Sequence, residues 1–302
     1  MGTWGTGLYA TDFAADLRGT IRAVARLPFD ADRLAAIVID TERQAASNPD
    51  DEDHTNFWLV MADQFLRRGL VSADARDHAL RIIDTGADLE MQRKLGRDER
   101  GLRKRRQMLE ELRTRLASPA PPVARKPGLR GPESFLMDVG DVLIYPTCGG
   151  RPRNPYAARP DRLKIYGPKG GQAWTQDGWG AIAIVDRGHA FDYFAWYTPL
   201  VVHTRFDARP EFDTVAGSSW SVELAGTCSP THFRRMALER VGQVPVVAAR
   251  IADLLPGLYK GDRQAIGDVS IANRMTIRSG KATHLKQRPP FDRIVALGDL
   301  AG

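Results

Sequence analysis

Apolar residues recur at helical spacing through about the first 117 positions and at strand spacing beyond about residue 133. Phe13, Leu17, Ile21 and Val24 fall on one side of a helix that Thr11 or Asp12 can cap, and Pro28 stops it. Asp30 can cap a second helix carrying Leu34, Ile37 and Val38. The acidic run Asn48 to Asp53 reads as a loop, because proline and clustered like charges oppose a helix. Thr55 is placed to cap a helix with Trp58, Met61, Ala62 and Phe65 inside, ending at Gly69. Ser72 then caps another, with Ala75, Ala79, Leu80, Ile82 and Ile83 inside and Gly86 as its stop. The short connection makes these two helices antiparallel neighbours, with no second copy at a fixed period. Residues 98–117 predict a charged helix with Leu102, Met108, Leu109, Leu112 and Leu116 as its apolar positions.

The stretch SPAPPVARKPGLRGPES carries several prolines and no periodicity, so it reads as an extended linker. The expected organisation is a helical domain over 1–118, a linker over 119–132 and a β-rich domain over 133–302. FLMDVGDVLIYPT reads as a strand interrupted at its Gly-Asp pair. GWGAIAIVDRGHAFDYFAWYTPLVV reads as two strands with a tight turn near Asp186-Arg187-Gly188. Alternation then puts Phe191, Tyr193 and Ala195 on one side and Asp192, Phe194 and Trp196 on the other. SSWSVELAGT is a further strand. Ser229-Pro230 starts a helix expected to run through Phe233, Met236, Leu238 and Val241, and PVVAARIADLLPG predicts another. RMTIR reads as a strand, and FDRIVALGDL fits either type. The fold class expected is α+β: an all-α N-terminal domain, then a mainly antiparallel barrel-like or curved sheet with added helices.

Composition adds little to this picture, but charge adds more. Residues 1–117 hold 19 Lys/Arg against 20 Asp/Glu, which leaves 24 against 17 of the chain's 43 and 37 for the rest. The basic excess therefore belongs to the C-terminal part, which mildly favours an acidic partner, either a nucleic acid or an acidic protein surface. No run approaches the ~18 apolar residues of a membrane span, and the N-terminus lacks a signal-peptide pattern. With only Cys148 and Cys228, a disulfide framework is excluded and a reducing, cytoplasmic compartment is expected. No Cys/His cluster has zinc spacing, so neither a metal nor a cofactor is expected.

Several stretches together carry a resemblance. They are WGTG followed by TDFAAD, then FWLVMADQFLRRGL, HALRIIDTGADLE and RKRRQMLEELRTRLASPAPP, and later GDVLIYP. The chain resembles a family of bacterial proteins that begin with a Trp-Gly-x-Gly element. In that family a helical domain with a Phe-Trp-Leu-x-x-Ala-Asp segment precedes a β domain opening in Gly-Asp-Val. The match covers most of residues 1–122; the β part is similar to β domains of immunity proteins from bacterial toxin systems. The resemblance brings no catalytic residues with it. It implies a non-enzymatic binding protein, of immunity or defence type, whose partner is another protein.

The candidate chemistry is sparse. The glycines around Trp4 follow no strand and precede no Gly-Lys-Ser/Thr, so they are not a phosphate loop. Trp4 reads as an anchor against Phe57, Trp58 or Phe65, with Gly5 or Gly7 in a conformation that disfavours a β-carbon, or else as a partner contact. Asp12 and Asp16 read as a cap and an exposed acid. The run Arg103 to Arg106 reads as a solvated helix face. The segment 151–178, rich in Gly, Pro and basic residues, reads as a long exposed loop. Its Arg151, Arg153, Arg159 and Arg162, with Trp174 and Trp179 nearby, form the binding candidates for a protein partner or for nucleic acid. A cysteine–histidine pair from Cys148 with His189 or His203 is the residual enzymatic alternative.

Overall fold

The computed structural model describes residues 5–118, 128–153, 174–222, 226–254, 270–274 and 294–301. The chain divides into two compact units, Met1–Gly131 and Pro132–Gly302.

The first unit is built from α1 (Asp12–Val24), α2 (Ala31–Thr41), α3 (Arg43–Ser47), α4 (His54–Arg67), α5 (Ala73–Thr85), α6 (Ala87–Lys94) and α7 (Glu99–Ala117). Side-chain caps set most of the starts. Thr11 Oγ1 accepts from Ala14 N–H at 3.1 Å, Asp30 from Arg33 N–H at 2.8 Å and Asp98 from Gly101 N–H at 2.7 Å. Gly86, at φ 73°, closes α5 in the left-handed conformation and turns the chain into α6. Thr55 is not a cap. Helix α4 begins one residue earlier, and the Thr55 hydroxyl donates to Asp88 Oδ1 at 3.2 Å.

The centre of this unit is α4. Every residue from Thr55 to Phe65 is buried, so it is enclosed on all sides and not on one face alone. Helices α1, α3, α5, α6 and α7 surround it. Within the expected linker, residues 128–131 belong to the helical unit: Leu129 is buried and its N–H donates to Arg26 O at 3.0 Å. Residues 119–127 lie outside the described set.

The second unit is a curled antiparallel half-barrel with helices. Its strands are β1 (Asp141–Cys148), β2 (Arg151–Pro152), β3 (Gly178–Ala190), β4 (Phe194–Val202), β5 (Ser219–Val222), β6 (Gly226–Thr227), β7 (Glu239–Gln243), β8 (Ser270–Arg274) and β9 (Ile294–Ala296). The main order is β2-β1-β3-β4-β5-β9; β7 pairs with β1, and β6 joins β4 to β8, the latter in parallel. Helices α8 (Phe212–Ala216), α9 (Pro230–Met236) and α10 (Ala248–Leu254) and a 3-10 turn (Leu297–Leu300) complete the unit.

Alternation along β1 and β3 feeds two cores, one on each face of the sheet. One holds Val142, Ile144, Ala181, Ala183 and Trp220 with Ile251 of α10 and Leu297 of the 3-10 turn. The other holds Leu143, Tyr145, Ile182, Ile184 and Tyr197 with Met236 of α9 and Met137 of the segment before β1. Aromatic rings lie across glycines of the neighbouring strand. A Cβ at Gly180 would stand 2.5 Å from the Tyr145 ring, and one at Gly188 would stand 2.6 Å from the Trp196 ring. Both pairs sit directly opposite in the register.

Three expectations in this unit are overturned. The turn between β3 and β4 is not at Asp186–Gly188 but at Phe191 and Asp192, with φ of 54° and 63°. Tyr193 N–H closes it onto Ala190 O at 3.1 Å. What stands near Asp186 is a bulge, a register shift between Ile184 and Asp186. Phe191 to Tyr193 therefore do not alternate along a strand. The helix after Ser229 ends at Met236, because Ala237 turns left-handed at φ 54°, and Val241 lies in β7. Of RMTIR, only Arg274 lies among the described residues, as the last residue of β8.

Candidate functional site

Two polar centres occupy the helical unit, one structural and one facing solvent. The structural one is built around Arg105, whose side chain is 2% exposed. Its Nε and Nη2 donate to Asp88 at 2.8 and 2.9 Å, Nη2 also donates to Asn56 Oδ1 at 3.1 Å, and Nη1 donates to Gly7 O at 3.0 Å. Asn56 in turn donates to the cap residue Thr11. Arg97 Nη1 reaches Gly5 O at 3.0 Å. This corrects the reading of Arg103–Arg106 as a solvated face: three of its members are exposed, and Arg105 is an internal strut. It also gives the glycine-rich start a different purpose. Gly7 is outside the left-handed region, and a Cβ there would meet nothing within 4 Å; at Gly5 it would stand 3.8 Å from Ala10 Cβ. The carbonyls of this segment are what the fold uses. Trp4 itself lies outside the described residues.

The second centre is a cluster of arginines around Tyr9 and Asp63. Asp63, in the last turns of α4, is fully buried. Its Oδ2 accepts from the Tyr9 hydroxyl and from Arg67 Nε at 2.7 Å, and its Oδ1 forms an ion pair with Arg115 Nη1 at 2.8 Å. Gln64 donates to the Tyr9 oxygen, and Arg68 Nη1 donates to Gln64 O at 3.1 Å. The Arg18 guanidinium lies over the Tyr9 ring, 5.1 Å from its centroid. Arg22 is one turn along α1 and close enough to act on Arg68 through its charge. Two guanidiniums thus pair with a single buried carboxylate, and Arg18, Arg22 and Arg68 add their charge around the adjoining Tyr9 and Gln64.

The electrostatics follow from that crowding. Burial pushes the Tyr9 hydroxyl up to about 12, helped by its hydrogen bond to Asp63. Burial works to raise Asp63 as well, but the hydrogen bonds from Arg67 and Tyr9 and the ion pair with Arg115 outweigh it and hold the carboxyl below its usual value. Burial pushes Arg68 down, and the like charges of Arg18 and Arg22 add to this. Arg22, Arg67 and Arg115 each sit in the last turn of their helix, where a cation complements the helix dipole. That preference accounts for each residue separately. It does not require the ends of three helices to bring them to one place.

In the β unit, Arg153 lies over the Trp174 ring at 4.6 Å from its centroid, so two of the binding candidates meet. Trp179 pairs through its backbone with Phe206 and packs its ring on the first core. Arg151 lies in β2, while Arg159 and Arg162 fall outside the described residues. Cys148 and His189 are not brought together. Thr147 pairs with Gly178 at the start of β3, and His189 lies roughly 35 Å further along that strand. His189 Nε2 contacts Glu133 O at 2.8 Å, and its ring is 4.4 Å from Phe135. His203 is exposed beyond the end of β4. Among the described residues, no group of three His, Cys, Asp or Glu side chains is placed to hold a metal ion, and no helix is long and apolar enough to cross a membrane.

The arginine cluster was missed by motif reading because its members come from positions 9 to 115. One signal was available: Arg67-Arg68 directly follows an apolar run in which Asp63 and Gln64 are the only polar interruptions after Asn56. Comparison with family models, with curated proteins and with solved structures finds no match to this chain.

Proposed function

We propose that the chain is a non-enzymatic binding protein that acts by contacting another protein through the arginine cluster of its helical unit. The observation that carries this reading is one buried carboxylate paired with Arg67 and Arg115, with Arg18 over the adjoining Tyr9 ring and Arg22 one turn further along α1, all four arginines being exposed. Arginine is the residue favoured at interfaces that recognise carboxylates in two-pronged fashion. The setting proposed is a bacterial cytoplasm, where Cys148 and Cys228 stay free thiols, and the resemblance adds an immunity or defence role. The test is capture from the native host, with and without nuclease, by the parent protein and by Arg18→Gln/Arg22→Gln. A partner protein that survives nuclease treatment and is lost with the variant supports the reading.

A second reading has one observation behind it. Arg153 lies over the Trp174 ring, and aromatic rings beside basic groups suit single-stranded nucleic acid. Binding to generic DNA that weakens steeply with salt, and flattens when Arg151, Arg153, Arg159 and Arg162 become Ala, would favour it.

A further inference from the structure

Resting on the protein-binding reading above, we infer that Asp63 is a positioning residue which presents Arg67 and Arg115 as a clamp for an acidic peptide segment, with Arg18 and Arg22 extending the site along α1. The argument begins with what Asp63 leaves unspent. It takes the Nε of Arg67 and one Nη of Arg115, while those side chains remain 56% and 43% exposed. The buried carboxylate therefore fixes one edge of each guanidinium and leaves the rest of each fork at the surface. Fixing a long side chain beforehand removes the ordering cost that binding would otherwise incur. Tyr9 donates to the same carboxylate oxygen as Arg67, Oδ2, and the Arg18 guanidinium is held over its ring. After Asp63 is counted, the patch keeps a large positive excess, which a partner bearing several carboxylates would neutralise.

The wider charge pattern selects a short acidic segment over a nucleic acid. The acidic run Asp50 to Asp53 precedes α4, and the arginines lie at that helix's other end, roughly 20 Å away at 1.5 Å per residue. Residues 1–117 carry no basic excess. A phosphate backbone continues past the patch at a charge every few Å and meets this opposing end. An acidic peptide segment can finish where the arginines do.

The test is fluorescence anisotropy on the intact protein, using a labelled peptide of alternating Glu and Ser, its Gln counterpart and a single-stranded DNA of equal charge. The Glu peptide should bind at about 50 mM salt and weaken at about 300 mM, with little binding of the Gln peptide. Arg18→Gln/Arg22→Gln leaves no buried carboxylate unpaired, keeps its helical circular dichroism and should weaken binding about tenfold. Asp63→Asn separates positioning from plain charge. It makes the patch more positive, so simple attraction predicts tighter binding, whereas loss of positioning predicts weaker binding. Should Asp63→Asn fail to fold, Arg115→Gln leaves Asp63 paired to Arg67 and Tyr9 and should still weaken the peptide severalfold. Three results would overturn the inference: no binding of the Glu peptide, tighter binding of DNA through the same arginines, or tighter peptide binding by folded Asp63→Asn. If host-protein capture still depends on Arg18 and Arg22 while the Glu peptide does not bind, only the acidic-segment assignment falls. If capture ignores them, the underlying reading falls too.

Discussion

Two aspartates of α4 and its approach respond to pH in opposite senses. Burial, followed by the charges of Glu52, Asp51 and Glu42, raises Asp53 to about 6. A carboxyl raised in the folded state holds its proton there after the unfolded chain has released it. Its contribution is greatest below the ordinary value of 3.8 and is lost as pH rises through about 6. Asp63 is lowered, so its contribution is complete above 3.8 and is lost as the medium becomes more acid than that. Thermal melts of the helical signal should therefore fall as pH rises from 3.8 through about 6, and Asp53→Asn should flatten that limb while leaving the acid limb in place. Arg105→Ala removes one partner of a buried ion pair, a change costing about 3–5 kcal/mol, and should unfold or severely destabilise the helical unit. At Ala237 the sign reverses. It caps α9 at φ 54°, and Leu238 N–H reaches back to Phe233 O at 3.3 Å, so Ala237→Gly relieves a left-handed residue. The β-unit melting midpoint should rise, by about 1 kcal/mol in stability.

At the level of elements, glycine and aromatic residues share the sheet. Gly188→Val would drive a side chain into Trp196, which is buried and lies directly opposite. The cost expected for overpacking is about 1–3 kcal/mol, and a shifted tryptophan emission with a lower melting midpoint would register it. The helices were legible in the sequence because caps and periodicity agreed, as at Thr11, Asp30 and Ser72. The β3–β4 turn was not. Asp186-Arg187-Gly188 has turn composition, yet the chain turns at Phe191-Asp192, where packing of a buried phenylalanine overrides local preference. Arg105 offered a signal that composition hid. It falls in the stripe Leu102, Leu109, Leu112 and Leu116, so helical spacing alone placed it inside. The arginine cluster had no such stripe, since Tyr9, Arg18, Asp63 and Arg115 meet only through the packing of α1, α4 and α7.

For the whole molecule, each unit closes its own core, and the proline-rich composition of 119–127 makes that run, near the end of the first unit, the expected place of cleavage. Limited digestion of the intact chain should cut within 119–127, because Leu129 is already docked on the helical unit. Two resistant fragments are expected; early loss of either would show that it does not hold its fold alone.

The sheet register has a consequence for how fast the chain acquires its structure. Val142 pairs with Gly242, and Trp220 with Val295, so β1 and β5 cannot be completed until strands far later in the chain are present. Helices need only neighbouring residues, and long-range pairing must first meet the entropy of closing a large loop. Refolding from denaturant should therefore be biphasic. The far-ultraviolet helical signal should recover first. Intrinsic fluorescence should follow more slowly, because Trp174, Trp179, Trp196 and Trp220, four of the six tryptophans, belong to the later unit. During synthesis the same order would leave the helical unit finished, its arginines already in place, while β1 still waits for β7 to emerge.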